Sequence, residues 1–334
     1  MAEIHLHIGL NKTGTSSLQD FFSMNADALR AEGWCYPRAG RDTTAHHPLS
    51  KRLKPGPLAN DAATREMVAA LRTELAGCER AVLSSEDFHT HVPRGIERIR
   101  DALDGHEVRV VLYVREHVAY LASWYQQNVQ ATHLSCAFDS FCYFTRKPLF
   151  KVADAWGEVF GRDRVTVRLY DRAALHGGDI VQDFAQVIGL GGDLARFVRK
   201  PYESNPSVTG NLLFIKRVVN NFFPKAEAAG FVDEVTALSK LKKEFRGAMF
   251  VDRATVNYVT GMYEGDRAQL AARYGVVIEP REHEYVGSRA PDMDMLADDW
   301  ALVMGEARRR GFAIARAADL FTLHGSPALL ATTP

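Results

Sequence analysis

Cysteine is scarce: Cys35, Cys78, Cys136 and Cys142 are the only four in 334 residues, and none forms a CxxC pair. That excludes a disulfide-built scaffold and a zinc ribbon, and the four read as reduced and mostly buried. Net charge is missing as well, since 41 basic side chains balance 41 acidic ones. A chain whose main partner is nucleic acid or an anionic membrane would carry a basic excess. No apolar run exceeds five residues, far short of the ~20 that cross a bilayer. Met1-Ala2-Glu3 supplies neither a basic n-region nor an apolar h-region, so no secretory signal is expected and the location expected is cytoplasmic. Internal repeats and low-complexity tracts are absent too. What is there is globular composition, 46% hydrophobic and 25% charged, long enough to bury a large core.

Over the first half, short apolar strands alternate with longer amphipathic segments. Ile4–Ile8 alternates apolar and polar residues and breaks at Gly9; from Thr15, the spacing of Leu18, Phe21, Phe22 and Leu29 predicts a helix that Gly33 ends. Trp34-Cys35-Tyr36 reads as a short strand. Residues 39–60 lack periodicity and read as a long surface loop. Helices are predicted near 61–76, 94–103 and 116–130, and strands at Arg80–Leu83, Val108–Val114 and Val165–Tyr170. The alternation implies a parallel sheet flanked by helices. Beyond about 175 the pattern is mostly helical (near 178–189, 209–223, 233–246, 253–274 and 294–310). The expectation is one domain over 1–334, with an α/β core (1–175) and a helical C-terminal portion (176–334) packed on it.

The most informative segment is Gly9-Leu10-Asn11-Lys12-Thr13-Gly14-Thr15-Ser16-Ser17, between a strand and a helix. Backbone amides in such a loop, with the positive end of the helix dipole, form an anion site. A nucleoside-triphosphatase loop has Lys directly after its second Gly; here Thr15 stands there and Lys12 has moved to the front. Nor does an obvious acidic strand end supply a Mg²⁺ partner for ATP chemistry. Without a ligand, Thr13 or Thr15 could simply cap the helix.

Lys12-Thr13-Gly14-Thr15-Ser16 resembles the 5′-phosphosulfate loop, K-x-G-T-[ST], of the sulfotransferases that use 3′-phosphoadenosine 5′-phosphosulfate (PAPS). A second match is Arg115 at a strand end, with Ser123 eight residues later on the next helix. In that family these two positions hold the 3′-phosphate, and a guanidinium fork suits that dianion. Glu116-His117 replaces the Asn-Pro or Asp-Pro that often follows the Arg. The resemblance covers roughly residues 3–175. It implies a P-loop-type three-layer α/β fold and PAPS as donor, with no metal. Lys12 and residues 13–17 would bind the 5′-phosphosulfate, Lys12 would stabilise the leaving phosphate, and a Ser123–Lys12 contact would restrain that lysine.

In the family the base lies just past the strand after the loop, as a His in cytosolic members and a Glu in heparan-type ones. Here Ala81-Val82-Leu83 runs into Ser84-Ser85-Glu86-Asp87-Phe88-His89, which places Glu86 at that position with His89 as the second choice. A carboxylate there can take the acceptor's proton. Ser84 stands where cytosolic members carry Lys.

His46 and His47, among Arg38, Arg41, Lys51, Arg52 and Lys54, are candidates for an acceptor-side surface, or simply part of a solvated basic loop. Arg199, Lys200 and Asn205 are candidates for a segment closing over the nucleotide, and Trp124 and Tyr125 are core residues before they are an adenine platform. The acceptor expected is a saccharide or small molecule, bearing a hydroxyl or an amine, with neither nucleic acid nor a membrane span involved. Two other readings stay open: a small-molecule kinase, and a non-catalytic nucleotide-binding protein on the same scaffold.

Overall fold

The apolar stretch before Arg115 carries buried-type residues at both parities, which suits a parallel strand covered on both faces. A computed structural model describes residues 1–200, 207–281 and 285–324. Its elements begin β1 (Glu3–His7), α1 (Thr15–Met24), α2 (Ala26–Arg30), β2 (Trp34–Cys35), α3 (His47–Leu53), α4 (Ala62–Ala76), β3 (Arg80–Ser84) and α5 (Pro93–Ala102). They continue β4 (Glu107–Val114), α6 (His117–Ala131), α7 (Phe138–Phe144), α8 (Leu149–Phe160), β5 (Val165–Leu169), α9 (Ile180–Ile188), α10 (Gly210–Val219) and α11 (Lys225–Gly230). The last are α12 (Val232–Leu238), α13 (Arg253–Met262), α14 (Glu264–Tyr274), α15 (Leu296–Arg309) and α16 (Arg316–His324).

The five strands lie in the order β2-β3-β1-β4-β5, every pair parallel. Leu6 of β1 stands between Leu83 of β3 and Val110 of β4. Val111 and Tyr113 of β4 cluster with Val82, with Leu18 and Phe22 of α1, and with Phe184 of α9. The intervening Val110 and Leu112 are equally buried, and α8 packs on β4 and β5 beside α5. Helices therefore flank both faces, and the class is α/β, as the sequence pattern predicts.

Two compact units divide the chain. One comprises Met1–Glu116, Lys147–Pro201 and Tyr263–Glu279 and contains all five strands; the other comprises His117–Arg146, Tyr202–Met262 and Pro280–Pro334. In the second unit Lys216 is fully buried, and its Nζ donates to Thr132 O (3.2 Å), Ala228 O (3.0 Å) and the Asn220 side chain. Asn220 Nδ2 donates in turn to Val129 O and Leu134 O, at 3.0 and 2.7 Å. These bonds pin α6, α10 and α11 through otherwise unsatisfied carbonyls.

Three sequence expectations need correction. Residues 39–60 are not an open loop: they contain α3 and a 3-10 turn at Pro57–Asn60, because Leu49 and Leu53, one turn apart, are buried. Two of the cysteines are not reduced. Cys35 is paired with Ala81 across the β2–β3 ladder, so Cys78, just before β3, comes within a Cα–Cα distance of 6.0 Å and forms a disulfide across 43 residues. Cys136 and Cys142 are free, and burial pushes the Cys142 thiol up to about 12. The helix predicted over 253–274 breaks into α13 and α14 at Tyr263, which is buried and whose hydroxyl accepts from Lys147 N at 2.8 Å.

Candidate functional site

Strand order sets the location. β1 has β3 on one side and β4 on the other, so chains leaving these strands diverge and open a crevice at their carboxyl ends. Three segments start there: the loop after β1, the 3-10 turn Glu86–Thr90 after β3, and Arg115 after β4.

The first loop is built on left-handed backbone at Gly9 (φ 58°), Lys12 (φ 68°) and Gly14 (φ 77°). Gly9 is required by contact as well as by φ. A Cβ there would stand 2.7 Å from the Cα of Glu86, so the loop rests directly on the Glu86 turn. Lys12 is the one non-glycine residue with positive φ among the described residues, a conformation that costs about 1–2 kcal/mol. Thr13 Oγ1 donates to Leu10 O at 2.7 Å. The N-cap of α1 is Gly14, which supplies no side chain, and no side-chain cap is made. Neither Thr13 nor Thr15 is therefore a cap, and the amides of the first turn point with the helix dipole into the crevice.

Lys12 is half-buried, and among the described residues its Nζ has neither a hydrogen bond nor an ion pair. Burial, and next the charge of Arg115, push it below the ordinary lysine range. Arg115 reaches the same loop, its Nη1 donating to Lys12 O at 3.3 Å. Ser123 is buried in α6 and belongs to the second unit.

Glu86 is held by a residue that sequence reasoning missed. Gln19 is buried in α1 and donates through Nε2 to Glu86 Oε2 at 2.8 Å. The signal was present: Gln19 stands one helical turn after Thr15, a buried polar residue on an otherwise apolar face. His47 Nε2 lies 3.7 Å from the same carboxylate oxygen, and its Nδ1 lies 2.8 Å from Ser85 Oγ and 3.5 Å from Asp87 Oδ2. Oε1 of Glu86 makes no hydrogen bond among the described residues, and the side chain is 26% exposed. One oxygen is thus fixed from within, and the other is available to an acceptor proton.

The other two histidines sit differently. His89 donates from Nδ1 to the Glu86 carbonyl, its backbone N–H bonds Ile8 O at 3.1 Å, and burial lowers its pKa to about 4. It is neutral at neutral pH and braces the turn. His46 is wholly buried, with Nε2 donating to Pro37 O (3.0 Å) and Nδ1 accepting from Ser84 N (3.1 Å), and burial lowers it to about 3. Neither of its ring nitrogens is left for a substrate; it ties the chain before α3 to the end of β3.

Arg199 pairs with Asp179 at 2.9 Å and lines a cavity of about 570 Å³ with His176, Gln182 and Asp193. Lys200 reaches Asp20 at 3.5 Å, while Asn205 lies outside the described residues. Trp124 stacks on Tyr120 and meets Phe141, and Tyr125 packs against Phe138 and Phe141, so both serve the aromatic packing of the second unit. Among the described residues no three His, Cys, Asp or Glu side chains gather as a metal site would need, and no helix is long and apolar enough to cross a membrane.

The candidate site is thus a glycine-rich, lysine-bearing loop laid against an oriented carboxylate, at the switch point of a parallel sheet. No family model matches the chain. An uncharacterised protein of Archaeoglobus fulgidus is 27% identical over 140 residues, 42% of this chain, and the match spans only 38% of that protein's length. Among solved structures, a sulfotransferase from Alicyclobacillus acidocaldarius aligns with 81% of this chain and 95% of its own, at 17% identity and a TM-score of 0.45.

Proposed function

We propose that the chain is a PAPS-dependent sulfotransferase acting on a hydroxyl or amine of a saccharide or small molecule. One observation carries the reading: Gly9 brings the uncapped, lysine-bearing loop into contact with Glu86, so the anion site and the proton acceptor share one crevice. PAPS would supply the sulfuryl group, with its 5′-phosphate as leaving group. Oε1 of Glu86 takes the proton as the acceptor oxygen or nitrogen bonds to sulfur. Gln19 holds the carboxylate in place through Oε2. Lys12 and the amides of residues 13–17 meet the charge that returns to the 5′-phosphate. Arg115 serves the 3′-phosphate, and the sequence resemblance adds Ser123 to the nucleotide.

The cytoplasmic location expected from the sequence fits less well, since a disulfide such as Cys35–Cys78 persists mainly in oxidising surroundings.

Titration calorimetry with adenosine 3′,5′-bisphosphate, AMP and ATP–Mg²⁺ tests the reading. The bisphosphate should bind about 100-fold more tightly than AMP, and Arg115→Ala should remove the difference. A preference for ATP–Mg²⁺ would move a kinase to first place. Tight bisphosphate binding without transfer from PAPS to any acceptor would leave a nucleotide-binding protein.

A further inference from the structure

The residues leading into α3 form a loop closed by backbone hydrogen bonds. Arg41 N bonds Arg38 O (3.1 Å), Asp42 N bonds Ala45 O (3.0 Å), and Leu49 N reaches back to Gly40 O (3.0 Å). His46 N bonds Ser84 O at 2.8 Å, which fixes this loop to the strand end immediately before Glu86. Tyr36 forms its floor: the hydroxyl donates to Thr44 O at 2.7 Å, and the ring meets His46 edge-on at 4.9 Å. The Arg41 guanidinium lies over that ring, 5.0 Å from its centre. The residue after His46 is His47, whose Nε2 lies 3.7 Å from Glu86 Oε2, so Arg41, stacked on Tyr36 beside His46, belongs to the neighbourhood of that carboxylate.

Arg41 has no ion pair among the described residues, and its Nη1 is buried without an acceptor. Other half-buried arginines of this unit are neutralised, Arg52 by Asp61 at 3.0 Å and Arg168 by Asp183. The carboxylates around Arg41 are occupied elsewhere. Asp42 Oδ1 accepts from Ala45 N at 3.2 Å, Asp20 pairs with Lys200 at 3.5 Å, and Asp87 lies near His47 and 3.9 Å from Lys51. At the opposite end of α3, Lys54 is half-buried and likewise has no hydrogen bond or ion pair among the described residues. Its charge is felt at His89 and His91, on and just after the Glu86 turn. Helix α3 packs along that turn, and its seven residues span about 10 Å.

We propose that Arg41 and Lys54 form an anion-reading subsite on either side of Glu86, so that the acceptor carries a carboxylate, sulfate or phosphate beside its reacting hydroxyl. The inference rests on the function proposed above and names the acceptor's chemical class. A half-buried cation without a counterion is costly, and anionic groups on a ligand would lower that cost at Arg41 and at Lys54. A neutral acceptor would leave both cations uncompensated as it displaced their water. The anion need touch neither Lys12 nor the loop amides, so acceptor and nucleotide are read by separate charges.

The test uses the whole protein saturated with adenosine 3′,5′-bisphosphate, titrated with a uronic-acid disaccharide and with the methyl ester of the same disaccharide. The acid should bind about tenfold more tightly than the ester, and raising salt from about 50 to about 500 mM should erase most of that preference. Arg41→Gln should bring acid and ester together while nucleotide affinity stays within about twofold. Lys54→Gln, at a helix end where folding is not at stake, should reduce the preference in the same direction. Equal binding of acid and ester, or failure of both to bind, overturns the inference. So does a preference that survives both substitutions. Loss of bisphosphate binding by the wild-type protein would instead strike the sulfotransferase reading, and the first titration separates the two.

Discussion

Lys216 and Lys12 are both pushed below the ordinary lysine range by burial, yet the two units use them in opposite ways. In the helical unit Lys216 is enclosed by three oxygens of its own chain, Thr132 O, Ala228 O and the Asn220 side chain. In the sheet unit Lys12 sits on strained backbone, and its Nζ receives no oxygen from any described residue. A satisfied buried cation holds a scaffold together. An unsatisfied one, at the mouth of a parallel sheet and beside uncapped amides, is set for a ligand.

Lys12→Ala gives the sharpest form of this contrast. Transfer from PAPS should fall about 10²–10³-fold or more, with weaker bisphosphate binding and an unchanged melting temperature, read by radiolabel transfer, calorimetry and thermal scanning. Glu86→Gln separates the proposed base from the proposed anion site. Turnover should drop about 10²-fold or more while bisphosphate affinity moves by less than about twofold; equal losses in both would make Glu86 a structural residue.

Lys216→Met should do the reverse, lowering stability by about 2–4 kcal/mol because three buried oxygens lose their donor, with nucleotide affinity intact. Its pH dependence has a definite sign. The folded pKa near 8 lies below the unfolded value of about 10.4, so between them the unfolded chain binds more protons. The stability of the wild type relative to Lys216→Met should therefore rise with pH across that window, as urea unfolding at successive pH values would show. A flat difference would mean that Lys216 keeps its ordinary pKa in the folded protein and is not buried as described.

The segments that meet at the candidate site were legible because each is local. Gly9, Lys12 and Gly14 fall in one loop; alternation and apolar runs identify β1, β3 and β4; and Glu86 follows directly from the end of β3. Helix α3 was not legible, since Leu49 and Leu53 give a single apolar spacing in a stretch of Arg, His and Pro. The disulfide was hidden by the same locality, for 43 residues of sequence say nothing about which strand start lies beside Cys35.

By itself the sequence determined the sheet-and-helix class and the loop and strand ends from which the candidate site is proposed, because periodicity, glycine placement and strand ends are properties of neighbouring residues. Only the tertiary structure decided that Gln19 holds Glu86 across 67 positions, that His46 is an internal tie while His47 faces the carboxylate, and that Arg41 and Lys54 have no counterion among the described residues. The Gln19–Glu86 meeting follows from the pairing of β1 with β3, which sets α1 beside the turn after β3. Whether a charge is answered inside the fold depends on what lies across that sheet edge, which residue spacing does not encode.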